Sequence, residues 1–243
     1  MLERLTPRIW HMPCSQQKNR PSLGYICGDR FSLMVDAGNT PAHANEFLTA
    51  LKTAGLRRPD FVVLTHSHWD HCFGLCALEM PSIACMQTRQ SLEMVSRLQW
   101  TPDALEENVR AGIVPALCVP AIRENFPQME RIQVALPNVI FTDTMTLDLG
   151  NCRCLLQHVV SPHAKDTVMI LIQEERMAFL GDAVYQELAG KTWIERPEKL
   201  QRLYMTLESL DFTLCQPAHQ RALSKADLLE WFRRRLQKHT ADS

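Results

Sequence analysis

The sequence predicts a mixed α/β fold, and three observations carry that prediction. Phe61-Val62-Val63-Leu64 is a short unbroken apolar run after Pro59-Asp60, the pattern of a strand covered on both faces. Strand-length apolar runs recur on either side of it, with helix start and stop signals between them. A chain of 243 residues with 46% hydrophobic residues can bury a sizeable core, so a single domain over residues 1–243 is expected.

In chain order, Ser22 to Asp36 holds two β-prone runs around Gly28-Asp29 and reads as a hairpin. Thr40 caps a helix that has Pro41 at its first position and Gly55 at its close. The buried strand Phe61–Leu64 comes next, and a crowded polar stretch, THSHWDHC, follows at its C-terminal end. Open α/β sheets usually bind ligands there. From about residue 88 to 131 the composition shifts to helix formers with Pro115, Pro120 and Pro127, which predicts a helical insertion. Strands return over Thr144 to Leu149, Cys152 to Val160, Thr167 to Ile172 and Met177 to Leu180. A helix from Pro197 to Leu207 and a strand from Phe212 to Cys215 precede a C-terminal helix. Ser224 and Asp227 form a capping pair for it, and Leu228, Leu229, Phe232 and Leu236 give it an apolar face.

Charge and composition exclude several classes. With 26 basic against 27 acidic residues the net charge is −1, so no global field attracts nucleic acid or an anionic membrane. No run approaches the ~18 apolar residues of a membrane span, and the start, MLERLTPRIWHMP, lacks a signal-peptide core. Nine scattered cysteines fit a reducing compartment, so the expectation is a soluble cytoplasmic protein. Cys152 with Cys154 and Cys72 with Cys76 lack zinc-knuckle spacing, and core packing is the expected use of these thiols.

The chemistry concentrates in His66, His68, Asp70 and His71. Imidazole and carboxylate suit zinc, iron or manganese alike, and four such groups in six residues would be costly to bury without a cation or water. His66 and His68, at i and i+2 on extended chain, point to one side and can share one ion, while Asp70 and His71 turn toward a second position.

On this motif the sequence resembles the metallo-β-lactamase superfamily, whose His-x-His-x-Asp-His signature is complete here. The resemblance implies a four-layer αββα sandwich with two facing mixed sheets and the site at one sheet edge. It also implies three later ligands, matched by His163 in SPHAKD, Asp182 in FLGDAVY and His219 in CQPAHQ. His66, His68 and His163 would then hold a first metal, Asp70, His71 and His219 a second, and Asp182 would bridge them. Pro162 stands where the family often has glycine, and His158 competes with His163 for its place. Asp36 in LMVDAG is either a carboxylate orienting a ligating histidine or a turn aspartate. The remaining histidines, His11, His43 and His239, are expected at the surface.

Two metal ions, zinc first with iron or manganese as alternatives, imply hydrolysis by a metal-bridging hydroxide oriented by Asp70. Tyr185, three residues after Asp182, has a spacing similar to that in metal-dependent lactonases of the family, where a tyrosine hydroxyl contacts the substrate carbonyl. Buried aromatic packing is the competing account. A small ester, thioester or lactone is the expected substrate, as in glyoxalase II-like and lactonase-like members. True β-lactamases generally carry cysteine or serine where Asp182 stands, and nucleases of this fold need a basic surface. The alternatives are a mononuclear iron oxygenase similar to persulfide dioxygenases, or a phosphodiesterase of the same fold. Trp69 is expected at the pocket mouth, with the Trp100 segment covering it. Arg233, Arg234, Arg235 and Lys238 read as a solvated helix face. The expected partner is a small molecule, with neither nucleic acid nor membrane. Family members often form homodimers, although no stripe in this chain supports one.

Overall fold

The computed structural model describes residues 1–241, and its strands gather into two main sheets. The first contains β1 (Glu3–Thr6), β2 (Ile9–Met12), β3 (Leu23–Cys27), β4 (Ser32–Val35), β5 (Phe61–Val63), β6 (Ser82–Cys85) and β7 (Val139–Phe141), side by side in that order. Its first four strands pair antiparallel and β4 to β7 pair in parallel. Parallel neighbours need a crossover between them. Helix α1 (Pro41–Thr53) supplies the one from β4 to β5, opened as expected by Thr40, whose hydroxyl accepts the His43 amide at 3.1 Å. After β5 comes the short helix α2 (Trp69–Cys72), and between β6 and β7 run α3 (Met86–Val95), α4 (Pro102–Arg110) and α5 (Val119–Asn125).

The second sheet is built from β8 (Thr144–Asp148), β9 (Arg153–His158), β10 (Val168–Ile172) and β11 (Met177–Gly181). A separate hairpin, β12 (Glu187–Ala189) with β13 (Thr192–Ile194), precedes α6 (Pro197–Ser209), and β14 (Leu214–Pro217), β15 (Leu223–Ser224) and α7 (Lys225–Ala241) follow. The order across the sheet is β15-β14-β11-β10-β9-β8, with β11 and β14 parallel. The strand expected from Phe212 begins two residues later, because Phe212 packs among the outer helices before the chain joins β11.

Three packed layers of side chains show why four layers of backbone stand together. Val35, Val63 and Ile83 of the first sheet meet Cys154, Ile170 and Phe179 of the second. On the outer face of the first sheet, Met34 and Val62 pack against Ala44, Phe47 and Leu51 of α1. On the outer face of the second, Met169, Leu171 and Leu180 pack against Leu200, Leu203 and Leu207 of α6 and Leu228 and Phe232 of α7. This is the αββα sandwich. Each fully buried leucine or phenylalanine contributes about 1.5–3 kcal/mol, and strands covered on both faces, VMILI and MAFLG, carry no polar alternation.

A fourth cluster lies outside the sandwich, where Phe73, Trp100, Leu105, Ile122 and Met129 knit α3 to α5 together. Phe73 directly follows α2, and its ring meets those of Trp100 and Phe126 edge-on at 5.3 and 6.1 Å. The helical segment is thereby registered on the histidine-bearing turn. Two surface expectations fail. His43 is buried on the inner face of α1, and His11 is buried with Nδ1 2.9 Å from the Ser22 hydroxyl and Nε2 3.3 Å from Glu3. The side chain of His239 lies outside the described residues.

Candidate metal centre

All seven expected ligands sit just beyond strand ends at one edge of the sandwich. His66, His68, Asp70 and His71 follow β5, His163 follows β9, Asp182 follows β11 and His219 follows β14. The structure brings them into two adjoining groups, His66, His68, His163 and Asp182 in one and Asp70, His71 and His219 in the other. Within each group every residue offers one donor atom within 4.8 Å of the rest. Asp182 is the junction, with Oδ2 3.8 and 3.3 Å from Nε2 of His66 and His163 and 3.5 Å from Nε2 of both His71 and His219. Asp70 Oδ2 lies 3.1 Å from His219 Nε2 and 3.6 Å from His71 Nε2. His68 turns Nδ1 inward, 3.0 Å from His163 Nε2.

Backbone and buried polar groups behind the imidazoles aim them. Asp36 accepts the Thr65 amide at 2.8 Å, the Thr65 hydroxyl at 2.9 Å and His71 Nδ1–H at 2.7 Å. Having given its proton to Asp36, the Thr65 oxygen accepts from His66 Nδ1 at 3.1 Å. His163 Nδ1–H donates to the Gln186 carbonyl at 2.8 Å. Three histidines are thus held with Nε2 toward the common centre, the tautomer a cation needs. Asp36 adopts φ +61°, a strained conformation for a residue with a side chain, and its three bonds stabilise it there. Of the two readings of Asp36, the orienting one matches these contacts. His158 is turned away, with Nε2–H donating to the Lys165 carbonyl at 2.8 Å.

Electrostatics divides the two groups. Burial, reinforced by the neighbouring imidazoles, holds His66 well below the ordinary histidine range and His68 down at about 4, so both are neutral. At His71 and His219 burial also opposes charge but loses to nearby carboxylates. Asp70, Asp182 and Asp36 lift His71 well up, and Asp182 with Asp70 lifts His219 to about 10. Asp182 resists burial and stays ionised through His219 and His71. A divalent cation fits such a place, because it replaces imidazolium protons with charge of the same sign. The fit is supported by three buried atoms that no hydrogen bond satisfies, His66 Nε2, His71 Nε2 and Asp182 Oδ1.

Sequence reasoning missed several supporting groups. Asp166, 2% exposed, accepts the Ser67 amide at 2.9 Å while its carbonyl accepts the Thr88 hydroxyl at 3.2 Å, tying the histidine loop to α3. Arg235 leaves the solvated face expected for it. It forks onto Glu195 at 2.7 and 2.8 Å, lies 4.2 Å above the Trp231 ring and lines the cleft. Cys72 stays a packed thiol. Its Sγ donates to the His68 carbonyl at 2.8 Å, and burial pushes its pKa far up. Tyr185 also faces the cleft, its hydroxyl accepting the His219 amide at 3.2 Å.

A model of the metallo-β-lactamase superfamily matches residues 21–79, a stretch that takes in β3 through α2 and the four clustered candidate ligands. Over that stretch the chain is similar to the metallo-β-lactamase superfamily. A human relative, acyl-coenzyme A thioesterase MBLAC2, is 24% identical over 177 residues. That match takes in 69% of this chain and 59% of the relative, so it spans about three fifths of the curated protein. Among solved structures, a metallo-β-lactamase from Pontibacter korlensis superposes with TM-score 0.67 at 16% identity, covering 98% of each chain. The sec-alkylsulfatase Pisa1 from a Pseudomonas species gives 0.69 at 14% identity over 95% of this chain and 40% of its own. At such identities the superpositions speak for the metallo-β-lactamase fold itself. No helix among the described residues is long and apolar enough to cross a membrane.

Proposed function

We propose that this protein is a metallo-β-lactamase superfamily member and a metal-dependent hydrolase of a small thioester, ester or lactone, acting in the cytosol with two divalent cations. Zinc stands first, and iron or manganese suits the same donors. The observation that carries the reading is Asp182 Oδ2, placed between two histidine sets and within 3.8 Å of an Nε2 in each. The name of the human relative supports putting thioesters first. The near-neutral net charge of −1 favours a small molecule over nucleic acid.

Two cations held by these residues would supply Lewis acidity toward a carbonyl oxygen and a water acidified to near neutrality. The chain does the rest. Asp70 lines the cleft beside His219, placed to orient the attacking water and to carry its proton toward the leaving group. The Tyr185 phenol is kept protonated by burial and by Asp182, so its O–H is available to the carbonyl oxygen. Trp69 and Trp100 contribute apolar wall to the cleft.

Metal quantification combined with a panel of thioester, ester, lactone and phosphodiester substrates tests this. Two zinc or manganese ions per chain with carbonyl-ester or thioester turnover is the expected result. One iron per chain with oxygen consumption on glutathione persulfide would overturn it.

A further inference from the structure

The metal centre opens into a cavity of about 1430 Å³, above the roughly 300–1,000 Å³ usual for small-ligand pockets. Its two ends differ. Toward α3–α5 the wall is apolar, made by Phe73, Val95, Leu98, Trp100, Val114 and Ala121, and it begins where α2 ends. Other lining is polar and charged, and Arg235 and Lys238 come from α7, which packs on the second sheet. The mouth is apolar too. Of the ten large hydrophobic side chains exposed among the described residues, four line this cavity, namely Met94, Ile113, Leu117 and Trp193, each 47–57% exposed. Apolar groups gathered at one mouth signal contact with an apolar ligand.

We infer that the space beneath α3–α5 is an acyl-chain chamber. The substrate carries an extended aliphatic tail, which runs from the scissile carbonyl at the metal centre toward Trp100, with the leaving group on the charged side. This rests on the hydrolase reading for its orientation. Acyl binding, however, can be measured without turnover. Burying each methylene strengthens binding roughly fourfold, so a long tail is favoured over acetyl by orders of magnitude. Ala121 on α5 is the small residue in this wall, and a larger side chain there takes the volume the tail needs.

Four of the five tryptophans, Trp69, Trp100, Trp193 and Trp231, line the cavity and make it self-reporting. With metal-free protein, 12-bromododecanoate should quench tryptophan fluorescence saturably, dodecanoate but not acetate should relieve the quenching, and Ala121→Phe should weaken that binding at least tenfold. With metal-loaded protein, kcat/KM should rise at least tenfold from acetyl to dodecanoyl thioesters, and Ala121→Phe should cut the dodecanoyl-to-acetyl ratio at least tenfold. Should the variant fail to fold, wild-type quenching and the chain-length series decide alone. No quenching together with a flat chain-length series overturns the chamber and leaves the hydrolase reading standing. Saturable quenching in a protein that hydrolyses no ester or thioester supports the chamber and fails the hydrolase reading.

Discussion

The Tyr185 hydroxyl spends a lone pair on the His219 amide and keeps its proton for a partner in the cleft. Replacing Tyr185 with phenylalanine removes that donor and keeps the ring, and loss of one preorganised donor costs roughly 10²-fold in kcat. We expect that loss with metal content unchanged, as measured by steady-state kinetics and elemental analysis; unaltered turnover would return Tyr185 to mere packing. His43 gives a separate prediction, about pH. Burial, then Arg20, holds it down at about 3 against an ordinary 6.5. Its neutral form is the one folding favours, so the unfolded chain gains a proton below pH 6.5 that the folded chain refuses. Stability is therefore lost as pH falls from 6.5 toward 3, by on the order of 1.4 kcal/mol per pH unit from this group. Denaturant titrations of wild type and His43→Gln, in the same metal state, should show a shallower slope in the variant between pH 6.5 and 5, and equal slopes would refute the assignment. The seven candidate ligands were legible because each sits in a short local pattern after a strand. The groups that aim them were less so: Asp166 reaches Ser67 across 99 residues, and the Gln186 carbonyl has no side-chain signature.

Strands and turns supply the precision that single residues lack. Gly181 closes β11 with φ +51°, and a Cβ there would come within 2.7 Å of the Thr65 side chain. Thr65 is the hinge between Asp36 and His66, so the crossing of β11 over the β5 loop sets Asp182 against His66. Gly181→Ala should push Thr65 aside and weaken metal binding about 10–100-fold, the usual effect of disturbing groups behind a ligand. Competition with a chromophoric chelator measures this, and unchanged affinity would show that the crossing tolerates the shift. Elements with strong local signals were readable in the sequence, among them α1 between Thr40 and Gly55, the run Phe61–Leu64 whose strand ends one residue earlier at Val63, and the capped α7. Short pairings such as β12 with β13 were not, because three-residue strands exist through their partners, and Leu188 pairing with Trp193 leaves no period to read.

Across the whole molecule, the centre joins the two sheets. His66, His68, Asp70 and His71 come from the first, and His163, Asp182 and His219 from the second. The apolar layer between the sheets holds them face to face, but at this edge the contacts are polar, and His66 Nε2, His71 Nε2 and Asp182 Oδ1 have no hydrogen-bond partner. Cations held by these residues would act as staples between sheets, at a site that only the folded chain assembles. Binding to the folded state alone contributes about 2.7 kcal/mol at a hundredfold excess over Kd. For a chain of this size that corresponds to a rise in Tm of roughly 5–10 °C. Chelated protein should therefore melt lower by that amount and recover on addition of two equivalents of zinc, followed by differential scanning calorimetry. Recovery complete at one equivalent would remove the second cation from the proposal. Identical melting of chelated and loaded protein would mean that the sheets hold this edge closed unaided, and the seven side chains would then need another reason to converge.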